Sequence, residues 1–261
     1  MLFDQDGEGP AVVLLHAGIA DRRMWREHLG WLAQRGWRAV APDLPGFGEH
    51  VPSPDSPAPW DYVLAVLDEL AVERAALVGC SFGGAVALRV AVVAPERVRA
   101  LGLISSPAPG LEPSPRLHAA WTAEEEALER GEIDAAVETV VDAWLAPDAP
   151  AALRELVARM QRRAFELEGQ GPPDEPPDPV DEAPERLGQI GVPTVAAAGE
   201  ADMPDFEWSA RRLADVIPGA RHAVIPGAGH LAPLETPEAF RRLLGELLSE
   251  LEPEPASALP R

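Results

Sequence analysis

The chain has 261 residues, 46% of them hydrophobic, enough for one large α/β domain with an insertion and too few for two equal domains of that kind. Its 43 acidic side chains outnumber 22 basic ones, all arginine, and the formal net charge of −21 argues against nucleic acid or an anionic membrane as partner, since both call for clustered positive charge. The single cysteine excludes an internal disulfide and a multi-cysteine metal site. Residues 1–6 lack the charged and apolar regions of a signal peptide, and no run of about 18 apolar residues occurs, so a soluble, cytoplasmic protein is expected.

Residues 11–15, Ala-Val-Val-Leu-Leu, form an apolar run of strand length, as expected for a parallel strand buried on both faces. His16-Ala17-Gly18 follows as a turn, then a helix over 21–35 with Met24, Trp25, Leu29 and Leu32 on one face. A second strand over 37–42 ends in the turn Asp43-Leu44-Pro45-Gly46-Phe47-Gly48, and residues 51–59, with four prolines, are loop. A helix over 60–70 leads to a strand over 75–78, a helix over 82–94 and a strand over 98–104. This alternation predicts a mostly parallel, doubly wound sheet with helices on both faces.

Past Ser106 the rhythm breaks. Four prolines fall within 107–115, and three helices are expected over 117–130, 132–145 and 150–168 with no strand between them. A proline-rich, acidic stretch over 169–184 returns the chain to strand 194–198, helix 206–216, strand 222–225 and helix 237–251. The expected organisation is a core over 1–106, an all-helical cap insertion over 107–185, which is too long for an ordinary loop, a second core segment over 186–251, and a frayed tail over 252–261.

Between the third strand and its helix lies Gly79-Cys80-Ser81-Phe82-Gly83, the G-x-S-x-G nucleophile elbow. Such a turn holds a serine hydroxyl out over the sheet, and its glycines leave room where a Cβ would clash. A nucleophilic serine needs a base, and the base needs a carboxylate to orient it. His230, in Gly227-Ala228-Gly229-His230, and Asp202, in Gly199-Glu200-Ala201-Asp202, each follow a predicted strand at its carboxyl end, where such sheets keep their active sites. Glu200 and Asp205 are the rival acids and His222, inside a strand, the rival base. His16 reads as a turn-shaping residue and Cys80 as buried packing. The oxyanion donors are assigned to the backbone NH of Phe82 and of Gly18, with Ala17 the neighbour that could serve instead.

These motifs resemble the α/β-hydrolase superfamily, especially its small esterase and lactonase-like branch, similar to 3-oxoadipate enol-lactonases. The likeness lies in Leu14-Leu15-His16-Ala17-Gly18, Pro42-Asp43-Leu44-Pro45-Gly46-Phe47-Gly48, Gly79-Cys80-Ser81-Phe82-Gly83-Gly84, Pro95-Glu96-Arg97-Val98 and Gly227-Ala228-Gly229-His230, over about 11–106 and 186–250. The resemblance implies an α/β-hydrolase fold and a Ser-His-Asp serine hydrolase of small carboxylic esters or lactones, with no metal or organic cofactor. It leaves open the same triad used for carbon-carbon bond hydrolysis or cofactor-free haloperoxidation, or a slow, non-turnover ligand-binding receptor. Ala17 stands where the family carries glycine. Only about ten residues precede the first parallel strand, so the family's amino-terminal edge hairpin reads as truncated to one short strand. Trp25, Trp121, Trp144, Met160 and Phe165 are candidates for an apolar pocket wall, packing of the cap onto itself being the plain alternative. Arg162 and Arg163 read as a solvated helix face, with contact to an acidic substrate as the other possibility. Nothing in the sequence sets the oligomeric state.

Overall fold

The computed structural model describes residues 1–168, 170–172 and 176–251. The tail expected at 252–261 lies outside them. The first half runs β1 (Phe3–Asp6), β2 (Ala11–Leu15), a 3₁₀ turn (Arg22–Trp25), α1 (Arg26–Ala33), β3 (Arg38–Pro42), α2 (Pro59–Glu69), β4 (Ala75–Cys80), α3 (Phe82–Val93) and β5 (Val98–Ile104). Then come α4 (Pro115–Glu129), α5 (Ile133–Trp144), α6 (Ala151–Leu167), α7 (Pro179–Glu182), a 3₁₀ segment (Pro184–Gln189), β6 (Thr194–Gly199), α8 (Pro204–Val216), β7 (Arg221–Ile225), α9 (Ala232–Glu235) and α10 (Pro237–Ser249).

Among the described residues the strands form one sheet in the order β1-β3-β2-β4-β5-β6-β7, parallel except for β1, which pairs antiparallel with β3. One short strand, Phe3–Asp6, occupies the edge where a hairpin is expected of relatives. Strands β2, β4 and β6 are buried at every position, and their side chains alternate between two cores. Val13, Leu15, Leu77, Leu103 and Ala198 pack with α2, α3 and α8 on one face; Val12, Leu14, Val78, Ile104 and Ala197 pack with α1 and α10 on the other.

Two local departures from the sequence reading have simple causes. The helix expected over 21–35 opens as a 3₁₀ turn, because the Asp21 carboxylate accepts the Arg23 amide at 3.0 Å and holds the first turn tight before α1 begins. The proline-rich return stretch, given no element in the sequence reading, carries α7, and a 3₁₀ segment follows it; each is begun by a proline whose fixed φ suits a first helical turn.

No helix among the described residues is long and apolar enough to cross a membrane. The segment between β5 and β6 is fastened near its start to helix α8. Asp205, in the first turn of α8 and almost wholly buried, accepts both the backbone NH and the hydroxyl of Ser114 at 2.7 Å, just ahead of α4. The loop after β3 is fixed by another buried acid, Asp43, which accepts the amides of Arg22 and Glu49 at 2.9 Å and pairs with the Arg22 guanidinium.

His28 of α1 is enclosed by Trp25 and Phe240, and its Nε2–H donates to the Pro233 carbonyl at 2.9 Å. Burial lowers its pKa from 6.5 to about 4. The unfolded chain therefore binds this proton first, so stability is full above pH 6.5 and declines as pH falls towards 4, by about 3 kcal/mol from this group. Denaturant titrations between pH 4 and 7 should show that loss, and His28→Gln, which still donates to Pro233, should flatten it; an unchanged slope in the variant would assign the loss to other groups.

Candidate active site

Ser81 stands at the junction of β4 and α3 with φ +52°, a left-handed conformation that costs energy for any residue with a Cβ. Its amide donates to the Ile104 carbonyl at 2.8 Å, and its own carbonyl accepts from Gly84 and Ala85 as the helix starts. The turn closes because the flanking glycines let backbones touch. A Cβ on Gly79 would lie 2.2 Å from the Gly83 carbonyl, and one on Gly83 would lie 2.2 Å from the Leu15 carbonyl of β2.

The loops after β6 and β7 pack in the same way, with the Ala201 amide on the Ala228 carbonyl at 2.8 Å. That contact brings Asp202 and His230 together across 28 residues: Nδ1 of His230 lies 3.0 and 3.1 Å from the two carboxylate oxygens. An ionised carboxylate only accepts, so Nδ1 carries the hydrogen and Nε2 is left as an acceptor. Both side chains are almost fully buried, and Asp202 also accepts the Met203 amide at 2.7 Å. The rivals are engaged elsewhere: Glu200 accepts the Gly227 amide, Asp205 holds Ser114, and His222 sits on Glu207 at 3.1 Å. The rings of Trp144 and Phe206 flank the His230 imidazole, at centroid distances of 4.5 and 4.3 Å.

Ser81 and His230 line one cavity of about 650 Å³, together with Gly18 and Phe82. Phe82 is the first residue of α3, and its amide has no intrahelical acceptor. The Gly18 amide makes no hydrogen bond within the described protein, whereas the Ala17 amide is turned onto the Met24 sulfur at 3.5 Å. The geometry thus favours Gly18 over Ala17 as the second free donor. His16 fixes that turn: Nδ1–H donates to the Ala17 carbonyl at 2.9 Å, Nε2 accepts the Leu44 amide at 3.0 Å, and burial holds its pKa below the ordinary value. Cys80 is fully buried; burial pushes its thiol pKa well up, the charges of Asp202 and Glu235 add to this, and Sγ–H reaches the His230 carbonyl at 3.5 Å.

Of the five candidate wall residues, Trp121 and Trp144 line this cavity and Phe165 lines a neighbouring one of about 440 Å³. Trp25 and Met160 require correction. Trp25 is fully buried against Phe240 at 5.7 Å, on the far side of the sheet, because the 3₁₀ turn aims it beneath α10; Met160 is buried with Val137 and Val141 of α5. Sequence reasoning missed Trp60, Arg89, Glu124 and Phe206 in the first cavity. Arg89 had a signal, being the one charged residue of the otherwise apolar α3. Among the described residues, no group of three or more His, Cys, Asp or Glu side chains could hold a metal ion.

The family model described as "Alpha/beta hydrolase family" matches residues 12–243. The chain belongs to this family. Epoxide hydrolase 3 of Siraitia grosvenorii is 38% identical over 101 residues, 36% of this chain and 32% of that protein, so the match spans about a third of the curated relative's length. Among solved structures, a thermophilic esterase from Thermogutta terrifontis is similar at TM-score 0.75 and 25% identity, over 95% of this chain and 92% of that one. The enol-lactonase from Burkholderia xenovorans LB400 has TM-score 0.77 at 22% identity, over 95% of each chain.

Glu235 holds the His230 loop in place. Its carboxylate accepts the amides of Gly229 at 3.1 Å, Leu231 at 2.8 Å and, from the end of α5, Ala146 at 2.9 Å. Glu235→Ala leaves three partly buried donors unpaired and should lower stability by at least about 2 kcal/mol in chemical denaturation, with Glu235→Gln in between. A change within about 0.5 kcal/mol for the alanine variant would show that the clamp contributes nothing.

Proposed function

We propose that this protein is a serine hydrolase that cleaves a small carboxylic ester or lactone through an acyl-enzyme. The observation that carries the reading is a serine on a strained turn, sharing a cavity with an imidazole whose Nδ1 is held by a buried carboxylate. Ser81 Oγ attacks the carbonyl carbon as His230 Nε2 takes its proton. Asp202 keeps the proton on Nδ1 and stabilises the imidazolium that forms. The Gly18 and Phe82 amides bind the oxyanion. His230 then protonates the leaving alcohol, and a water activated by the same Nε2 releases the acid and restores Ser81.

Chemistry at Ser81 also separates this reading from the epoxide hydrolase likeness. A serine alkoxide opening an epoxide would leave an alkyl ether, which offers no carbonyl for water to attack and ends the cycle. An ester or lactone leaves an acyl-serine, which water can cleave. On this reading the insertion between core segments 1–106 and 186–251, expected over 107–185, supplies Trp121 and Trp144 to the cavity as a cap.

A fluorophosphonate probe should label the wild-type protein and not Ser81→Ala; equal labelling of both would sink the mechanism. Asp202→Asn should retain the fold and lose about 10³-fold or more in kcat on whichever short acyl ester or lactone the wild type turns over. A loss smaller than about tenfold would mean that Asp202 does not orient the base.

A further inference from the structure

The two cavities share Gly18, Pro59, Phe82, Glu124 and Pro176, so they are lobes of one cleft, with Ser81 and His230 in the larger. Among the described residues, the charged groups lining it are Arg89, Asp178, Glu124 and Glu168. Arg89, the sole cation, is spent on the protein itself. One guanidinium nitrogen pairs with Asp178 and another donates to the Ala85 carbonyl at 2.8 Å. Arg162 and Arg163, the sequence candidates for meeting an acidic substrate, lie outside both lobes: Arg162 pairs with Asp134, and Arg163 holds the Gly48 carbonyl at 3.1 Å and Glu166 at 3.0 Å.

Glu124 is the converse case. It lies at the junction of the lobes, and its carboxylate has no hydrogen bond or ion pair with any described residue. Burial, and secondarily the charge of Glu168, raise its pKa, the mark of a carboxylate short of partners. The junction of the two lobes therefore holds a carboxylate with no partner among the described residues, between the lobe of Ser81 and the second lobe.

We propose that Glu124 is a specificity-determining residue: it selects esters or lactones whose remote end is cationic or uncharged and rejects those with a remote carboxylate. A cation at the junction supplies the partner Glu124 lacks. A carboxylate there meets a like charge in a partly desolvated site, with Arg89 already neutralised. The proposal rests on Ser81-dependent ester hydrolysis and names the substrate class of that site. It sets this chain apart from any relative whose substrate carries a free carboxylate.

The test compares kcat/KM for three p-nitrophenyl esters of equal chain length: the hexanoate, the adipate monoester with its terminal carboxylate, and the 6-(trimethylammonio)hexanoate. Wild type should prefer the ammonium ester or treat it like the hexanoate, and should turn over the carboxylate ester at least about tenfold less efficiently than the hexanoate. In Glu124→Gln the carboxylate-to-hexanoate gap should close to about threefold or less. Glu125→Gln, which removes the same charge from an exposed position one residue away, should leave the gap intact. Equal wild-type rates on the carboxylate ester and the hexanoate, a gap that survives Glu124→Gln, or a gap that Glu125→Gln closes equally would each overturn the role of Glu124. Absence of Ser81-dependent turnover on all three esters would instead overturn the hydrolase reading, and the specificity assignment with it.

Discussion

The site depends on backbone touching backbone at two glycine-lined crossings. At the first, β2, β4 and the start of α3 meet so closely that a methyl group on Gly79 or Gly83 would lie 2.2 Å from a carbonyl, far inside van der Waals contact. Ser81 can hold φ +52° because that crossing leaves the chain no other path. At the second, a Cβ on Gly199 would lie 2.0 Å from the Gly229 carbonyl, so the loops of Asp202 and His230 lie in contact. Strand pairing places three loops at one end of the sheet; the second crossing brings Asp202 and His230 to hydrogen-bonding range, and the first sets Ser81 on the cavity that His230 also lines.

Buried and partly buried carboxylates do the fastening elsewhere, and each joins segments far apart in sequence. Asp43 joins the turn after β2 to the loop after β3, Asp205 joins α8 to the approach of α4, and Glu235 joins the His230 loop to the end of α5. A carboxylate accepting backbone amides settles several buried donors at once, and the bond is stronger than a neutral one. Asp202 uses the same device twice over, accepting the Met203 amide while it holds His230. A side chain that also accepts from its own loop keeps its direction when the cavity empties or fills.

The parallel sheet was legible because its strands are short apolar runs separated by amphipathic helices, and the candidate acid, base and nucleophile follow strands in a fixed order. Hydropathy shows that a side chain is buried but is silent on which core takes it. Trp25 and Met160 are as apolar as Trp121 and Trp144, yet the first pair packs away from the cleft and the second pair lines it. Glu124 was hidden for the opposite reason. It sits in Glu124-Glu125-Glu126 on α4, a run that reads as solvated surface, and its partly enclosed setting is made by the loop before α2 and the far end of α6. Nothing local in the sequence encodes a neighbour that arrives from more than forty residues away in either direction.

The helices that contribute Trp121 and Trp144 to the cleft are moored beside Asp202 and His230. Ser114 is tied to the first turn of α8, two residues beyond Met203 and three beyond Asp202, and Ala146 is tied to the carboxylate that also holds the His230 loop. The Trp144 carbonyl, at the end of α5, accepts the His230 amide directly. The helices that carry Trp121 and Trp144 and the loops of Asp202 and His230 thus share their anchorage, and displacement of α4 or α5 would strain the same bonds that place the imidazole. On the proposed function, an incoming molecule that displaced either helix would displace the base that must act on it as well.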